Sequence, residues 1–163
     1  FFLVISFYTV YQIRINAPEL EYEYFVFVLL ICISTDLGGY IFGKIFKGPR
    51  LTKISPMKTY SGVIGGYLFA IIFLIFFLNY GDYIYETTNF ETSSNYLFLN
   101  IFVFTILIST VSQLGDIVIS YFKRKSKVKD TGKIIPGHGG LLDRIDGMIF
   151  AFPATYLIFK IFY

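Results

Sequence analysis

The chain has 163 residues, of which 55% are hydrophobic, 21% aromatic and 15% charged, with a net charge of +3. Soluble domains run at about 45–50% apolar; here the excess is gathered in long runs, which excludes an ordinary soluble globule and puts a membrane class first. The one cysteine, Cys32, lies inside such a run and reads as a small buried hydrophobe, so no intrachain disulfide is available and the redox compartment is not readable.

Five apolar stretches follow in chain order. Residues 1–13 open with Phe inside an apolar run, so the reading expects further sequence upstream; no basic segment or cleavage site marks a signal peptide. Residues 24–46 carry Asp36, residues 62–80 carry no charge, residues 96–122 carry Asp116, and residues 148–163 carry Lys160 alone. A bilayer core takes about 20 helical residues to cross. The middle three stretches meet that length, and the end ones are shorter. Continuous rather than alternating apolarity reads as helix, and lipid leaves only helices or closed barrels as spanning structures. The expected fold is therefore all-α, a polytopic helix bundle forming one domain over residues 1–163.

The connections sort by charge. Residues 16–23 hold Glu19, Glu21 and Glu23, and residues 81–95 hold Asp82, Glu86 and Glu91 without a base. Residues 44–61 hold Lys44, Lys47, Arg50, Lys53 and Lys58 without an acid; residues 123–144 are rich in Lys and Arg. An excess of Lys and Arg marks cytoplasmic loops. Loops 44–61 and 123–144 are thus expected inside, and the alternation closes for five spans. There is no repeat, heptad or low-complexity tract.

The acids carry the chemistry. An ionised carboxylate inside a spanning helix costs about 2.5–3.5 kcal/mol on insertion scales, which makes Asp36 and Asp116 functional candidates by default. Asp36 lies eight residues before Lys44, and Asp116 seven before Lys123. Asp143 and Asp146 open the fifth span from the same side, and a spacing of three puts them on one face of a helix. Four carboxylates thus aim at one depth beneath two basic loops. Clustered carboxylates repel unless cations lie between them, and Mg²⁺ takes carboxylate oxygens together with substrate phosphates. With a basic rim for phosphate oxygens, the set points to phosphoryl or nucleotidyl transfer. The competing reading has these aspartates capping helices or pairing with nearby lysines. Gly137, Gly139 and Gly140 around His138 allow close backbone approach, and a turn leading into a helix at Leu141 or Leu142 can hold an anion; the alternative is an ordinary re-entry turn.

The stretch from Ser120 to Asp146, SYFKRKSKVKDTGKIIPGHGGLLDRID, resembles the signature of the phosphatidate cytidylyltransferases, or CDP-diacylglycerol synthases. Its fixed positions fall on Ser120, Lys123, Arg124, Lys129, Asp130, His138, Gly139, Gly140, Asp143, Arg144 and Asp146. SQLGD at 112–116 and the segment 35–66, which includes ISPMKT, resemble flanking family segments. Met57 stands where a second Lys is common, and Ser61 where Glu is common.

The resemblance implies an inner-membrane enzyme, often dimeric, that joins CTP to phosphatidic acid using Mg²⁺ and in some members a monovalent cation such as K⁺. It implies metal ligation by Asp116, Asp143 and Asp146, with Lys129 and Arg144 completing the catalytic set. Lys123, Arg124, His138, Gly139 and Gly140 would bind substrate, and Asp36, Ser55, Pro56, Lys58 and Thr59 would surround the same pocket. Two rivals differ in kind. A CTP-dependent lipid-alcohol kinase would release CDP rather than pyrophosphate. A transporter would spread acids across the bilayer depth, whereas these gather on one side.

Overall fold

The computed structural model describes residues 2–15, 21–52, 55, 57–85, 94–128, 131–132, 140 and 142–162; at 14, 21–24, 80–85, 94–98, 143, 144 and 162 only the backbone is described. The described residues form α1 (Phe2–Ile15), α2 (Glu21–Phe46), α3 (Tyr60–Tyr85), α4 (Ser94–Lys125), α5 (Leu142–Ile145) and α6 (Met148–Phe162). The fold is an all-α bundle. Stretches within α2, α3 and α4 (Phe25–Phe46, Tyr60–Asn79 and Leu99–Lys125) are long and apolar enough to cross a membrane; the apolar parts of α1 and α6 are shorter. Among the described residues the only strand-like pairing is an isolated bridge between Arg50 and Thr59.

α2 packs against α1, α3, α4 and α6 and so forms the axis of the bundle. Phe27 of α2 meets Phe104 of α4, and Thr35 farther along α2 bonds Ser109 farther along α4, so these helices run in the same direction. α3 runs opposite to α2, with Gly38 and Gly39 against Gly65 and Gly62. This sense of travel agrees with the alternation of basic and acidic loops.

Two kinds of packing hold the helices. At one end Phe27 is surrounded by Phe73, Phe77 and Phe104, with centroids at 6.0, 4.7 and 6.3 Å. At the other end glycines on both helices let the backbones touch. A Cβ on Gly65 would collide with the Phe42 side chain and the Gly38 carbonyl oxygen, so only glycine lets α2 and α3 come this close. Buried Thr105 and Thr155 return their hydroxyls to the carbonyls of Ile101 and Ala151, which satisfies them within their own helices.

Local bonds hold the described residues of the α2–α3 connection. Thr59 caps α3, accepting from the Gly62 amide at 3.1 Å. Ser61 accepts from the Gly48 amide at 3.3 Å and lies 3.0 Å from the Thr59 hydroxyl. The residue that departs from the family pattern thus ties the loop down, while Met57 is 87% exposed. α4 ends in a Schellman motif: Val128 N–H donates to the Lys123 carbonyl, Lys127 N–H to that of Arg124, and Lys127 takes φ 58°.

The start of the fifth span differs from expectation. Asp143 lies in α5, but Asp146 and Gly147 form a turn, and α6 starts only at Met148. Asp143 and Asp146 therefore do not share one continuous helix. The cause is Gly147. Its carbonyl accepts from Phe150 and Ala151, which starts α6 there, and its Cα presses on α4 beside Ser112.

Candidate functional site

α4 brings Ser112, Gly115 and Asp116 to one face at helical spacing, and the turn between α5 and α6 lies against that face. A Cβ on Gly147 would sit 2.5 Å from Ser112 Oγ and 3.0 Å from Asp116 Oδ1; one on Gly115 would strike Phe150 at 2.9 Å. Glycine at both positions lets the turn seat itself directly on the carboxylate. Asp116 and Asp146, 30 residues apart in sequence, are thereby placed within hydrogen-bonding reach.

Each of the two carboxylates carries a lysine. Lys58 Nζ lies 2.9 Å from Asp116 Oδ2, and Lys123 Nζ lies 3.1 Å from Asp146 Oδ2. Burial and the neighbouring Asp116 carboxylate push Asp146 up to about 7, with Lys123 pulling the other way. Two acids crowded in a half-buried site resist simultaneous ionisation, and cations relieve that resistance.

The lysines do not meet the whole demand. Among the described residues, Asp116 Oδ1 and Ser112 Oγ are buried with no hydrogen-bond partner. A buried carboxylate oxygen without a donor is costly and suits a cation. The donor set present, two carboxylates with a hydroxyl beside them, fits a hard divalent ion whose remaining positions are filled by phosphate oxygens and water. Among the described residues no three His, Cys, Asp or Glu side chains converge; the side chain of Asp143 lies outside the described set.

The structure thus joins Asp116, Asp146, Lys58 and Lys123 from three separate segments. Ser55 supports the loop that carries Lys58: its amide donates to Thr52 Oγ1, and its carbonyl accepts from the Lys58 amide. Asp36 is exposed on α2, one residue beyond the buried Thr35. Arg124 is exposed at the end of α4, and Gly140 is buried against Thr131 and Gly132. Lys129, Asp130, His138, Gly139 and Pro56 lie outside the described residues, as do the side chains of Asp143 and Arg144.

Pairing of aspartate with lysine, the competing reading of the sequence, is realised at Asp116 and Asp146, alongside the clustering of the two acids. Ser112 and Gly147 were not singled out from the sequence as site residues. Ser112 stands four residues before Asp116, on the same helix face, and that spacing was the available signal.

The profile of the Cytidylyltransferase family matches residues 1–162. A phosphatidate cytidylyltransferase of Rickettsia conorii is 43% identical over 130 residues, covering 75% of this chain and 52% of that protein. One from Staphylococcus saprophyticus is 36% identical over 137 residues, covering 83% and 48%. One from Rickettsia typhi is 40% identical over 136 residues, covering 80% and 57%. The chain spans about half the length of these curated relatives.

Proposed function

The chain belongs to the cytidylyltransferase family, and from that membership we propose that it transfers the cytidylyl group of CTP to phosphatidic acid, giving CDP-diacylglycerol and pyrophosphate. The observation that carries this reading is the convergence of Asp116, within α4, and Asp146, in the turn before α6, each on a lysine.

In the reaction a phosphate oxygen of phosphatidic acid bonds to the α-phosphorus of CTP, and the bond from that phosphorus to the bridging oxygen of the β-phosphate breaks. The nucleophile is already anionic, so no side chain has to remove a proton. The work falls to positioning and charge compensation. Asp116 and Asp146 would hold Mg²⁺, with Asp143 as a further ligand; the bound ion would supply positive charge to offset that of the reacting phosphates. Lys58, Lys123 and Arg124 bring ammonium and guanidinium groups to the phosphate oxygens, with Lys129, Arg144 and His138 completing the rim. The basic loops carry these groups on the cytoplasmic side, where CTP arrives and the lipid headgroup lies. Two such chains working as a dimer belong to the same reading.

The test is purified protein with labelled CTP and phosphatidic acid, with and without Mg²⁺. Metal-dependent formation of CDP-lipid and pyrophosphate is expected. Release of CDP with a phosphorylated lipid alcohol as product would replace the transferase by a kinase. Near-normal turnover in folded Asp146→Asn would remove Asp146 from the metal set.

A further inference from the structure

Lys58 stands out among the basic residues because of what it already holds. Its ammonium occupies Oδ2 of Asp116, while Oδ1 is buried without a donor among the described residues. The backbone beneath it is fixed: the Lys58 amide donates to the Ser55 carbonyl at 3.1 Å, its carbonyl accepts from Leu51 at 2.8 Å, and Thr59 beside it caps α3. The four methylenes between this anchor and the ammonium are free to swing the charge to a new partner.

The charges make that freedom consequential. With both acids ionised, two carboxylates facing two ammonium groups are neutral as a set. A divalent ion seated on Asp116 and Asp146 brings two further positive charges into the same half-buried space. It also requires carboxylate oxygens at about 2.0–2.1 Å, where the ammonium now sits at 2.9 Å. Lys123 cannot give way as readily. It is rooted in α4, the helix that carries Asp116, and both Lys123 and Asp146 are only 13% exposed, against 29% for Lys58.

We propose that Lys58 is the resident counter-cation of Asp116: a positioning residue that occupies the metal-binding carboxylate in the resting site, yields it when a divalent ion binds, and transfers its charge to a substrate phosphate. Metal and nucleotide loading are then coupled. The ion frees the ammonium, and the phosphate that accepts it removes the competitor for the ion, so each ligand tightens the other by the same factor. The inference rests on the metal-site reading of Asp116, and its test separates the two.

The probe is Mn²⁺, titrated against the purified protein in lipid nanodiscs and followed by the electron paramagnetic resonance signal of the free ion, first without nucleotide and then with CTP. Lys58→Met is expected to bind Mn²⁺ about tenfold more tightly than the unsubstituted protein without nucleotide, a factor within the usual span of site coupling. CTP should then add less to Mn²⁺ affinity in the variant. Lys58→Gln, which keeps a polar end without the charge, gives the same reading should the methionine variant not fold. A lysine serving only to hold the loop, or only to bind phosphate, would leave nucleotide-free Mn²⁺ affinity unchanged or lowered, and that result in a folded variant overturns the exchange. Asp116→Asn is the control. Loss of Mn²⁺ binding there with no gain in Lys58→Met leaves the metal site standing and removes the exchange; unchanged binding in both removes the metal site itself.

Discussion

α2 and α3 meet in two ways within a few helical turns. Around Phe27 they are held apart by aromatic rings that fill the space between them. Around Gly38 and Gly65 the backbones themselves are in contact, with the Phe42 and Phe69 side chains packed onto the glycines. A lipid environment offers little hydrophobic drive for helices to associate, so contact area and close fit decide. The ring end obtains area from volume. The glycine end obtains it from proximity, and Lys58, in the connection between those two helices, reaches Asp116 of α4. The first kind of packing tolerates change; the second does not, and the site depends on the second.

Neighbouring glycines break or sharpen that contrast most strongly. In an ordinary helix Gly→Ala is favourable by about 0.5–1 kcal/mol. Gly39→Ala should behave so, since its Cβ would rest 3.5 Å from the Gly62 carbonyl. Gly38→Ala should lose more than about 3 kcal/mol, because its Cβ would strike the Gly65 carbonyl and Phe69. Thermal unfolding of both variants in one detergent gives the comparison directly. Equal behaviour would mean the helices part without penalty and that proximity is not what holds this end.

Next in size is a change that should leave the packing alone. Asp116→Asn keeps the shape of the side chain and removes its charge. The expected outcome is a loss of at least about 100-fold in turnover, about 2.7 kcal/mol of barrier, with an unfolding temperature close to that of the unsubstituted chain. Assay and melt together check it. A large fall in stability instead would make Asp116 a structural partner of Lys58 first and a site residue second. At the ring end, Phe27→Leu should cost about 1–2 kcal/mol and leave turnover per folded molecule unchanged. Phe73, Phe77 and Phe104 can settle inward around a smaller side chain, and the ring cluster has no bond to the site.

This division also explains what the sequence disclosed. Long apolar runs are a direct consequence of bilayer thickness, so residues 62–80 and 96–122 announced α3 and α4. The helices run past those limits, to Tyr60–Tyr85 and Ser94–Lys125, because backbone hydrogen bonding continues where apolarity stops, and the basic last turn of α4 suits the helix dipole. Asp116 was legible because an acid in an apolar helix is costly, and Asp146 because its spacing follows a motif. The ion pair between Lys58 and Asp116 was not, since it spans 58 residues and depends on the approach of α2 to α3. Nor was the turn at Asp146 and Gly147 legible. A three-residue spacing reads as one helix face until Gly147 is seen pressed against Ser112.

The smallest effect is expected at the hydrogen bond that crosses between α2 and α4. Thr35 Oγ1 donates to Ser109 Oγ at 2.9 Å, and both residues are fully buried. Thr35→Val keeps the branched shape and removes the donor. Hydrogen bonds between membrane helices contribute about 0.6 kcal/mol on average, because separated helices find other polar partners. The hydroxyl of Ser109 also keeps the Gln113 amide, at 3.5 Å. A loss of about 0.5–1 kcal/mol is therefore expected, read as a small downward shift in the unfolding temperature with turnover retained. A loss above about 2 kcal/mol would mean that buried hydrogen bonds, rather than bare backbone contact at Gly38 and Gly65, fix α2 against its neighbours. The reach of Lys58 to Asp116 would then have to be traced to the polar face of α4 rather than to the absence of side chains on α3.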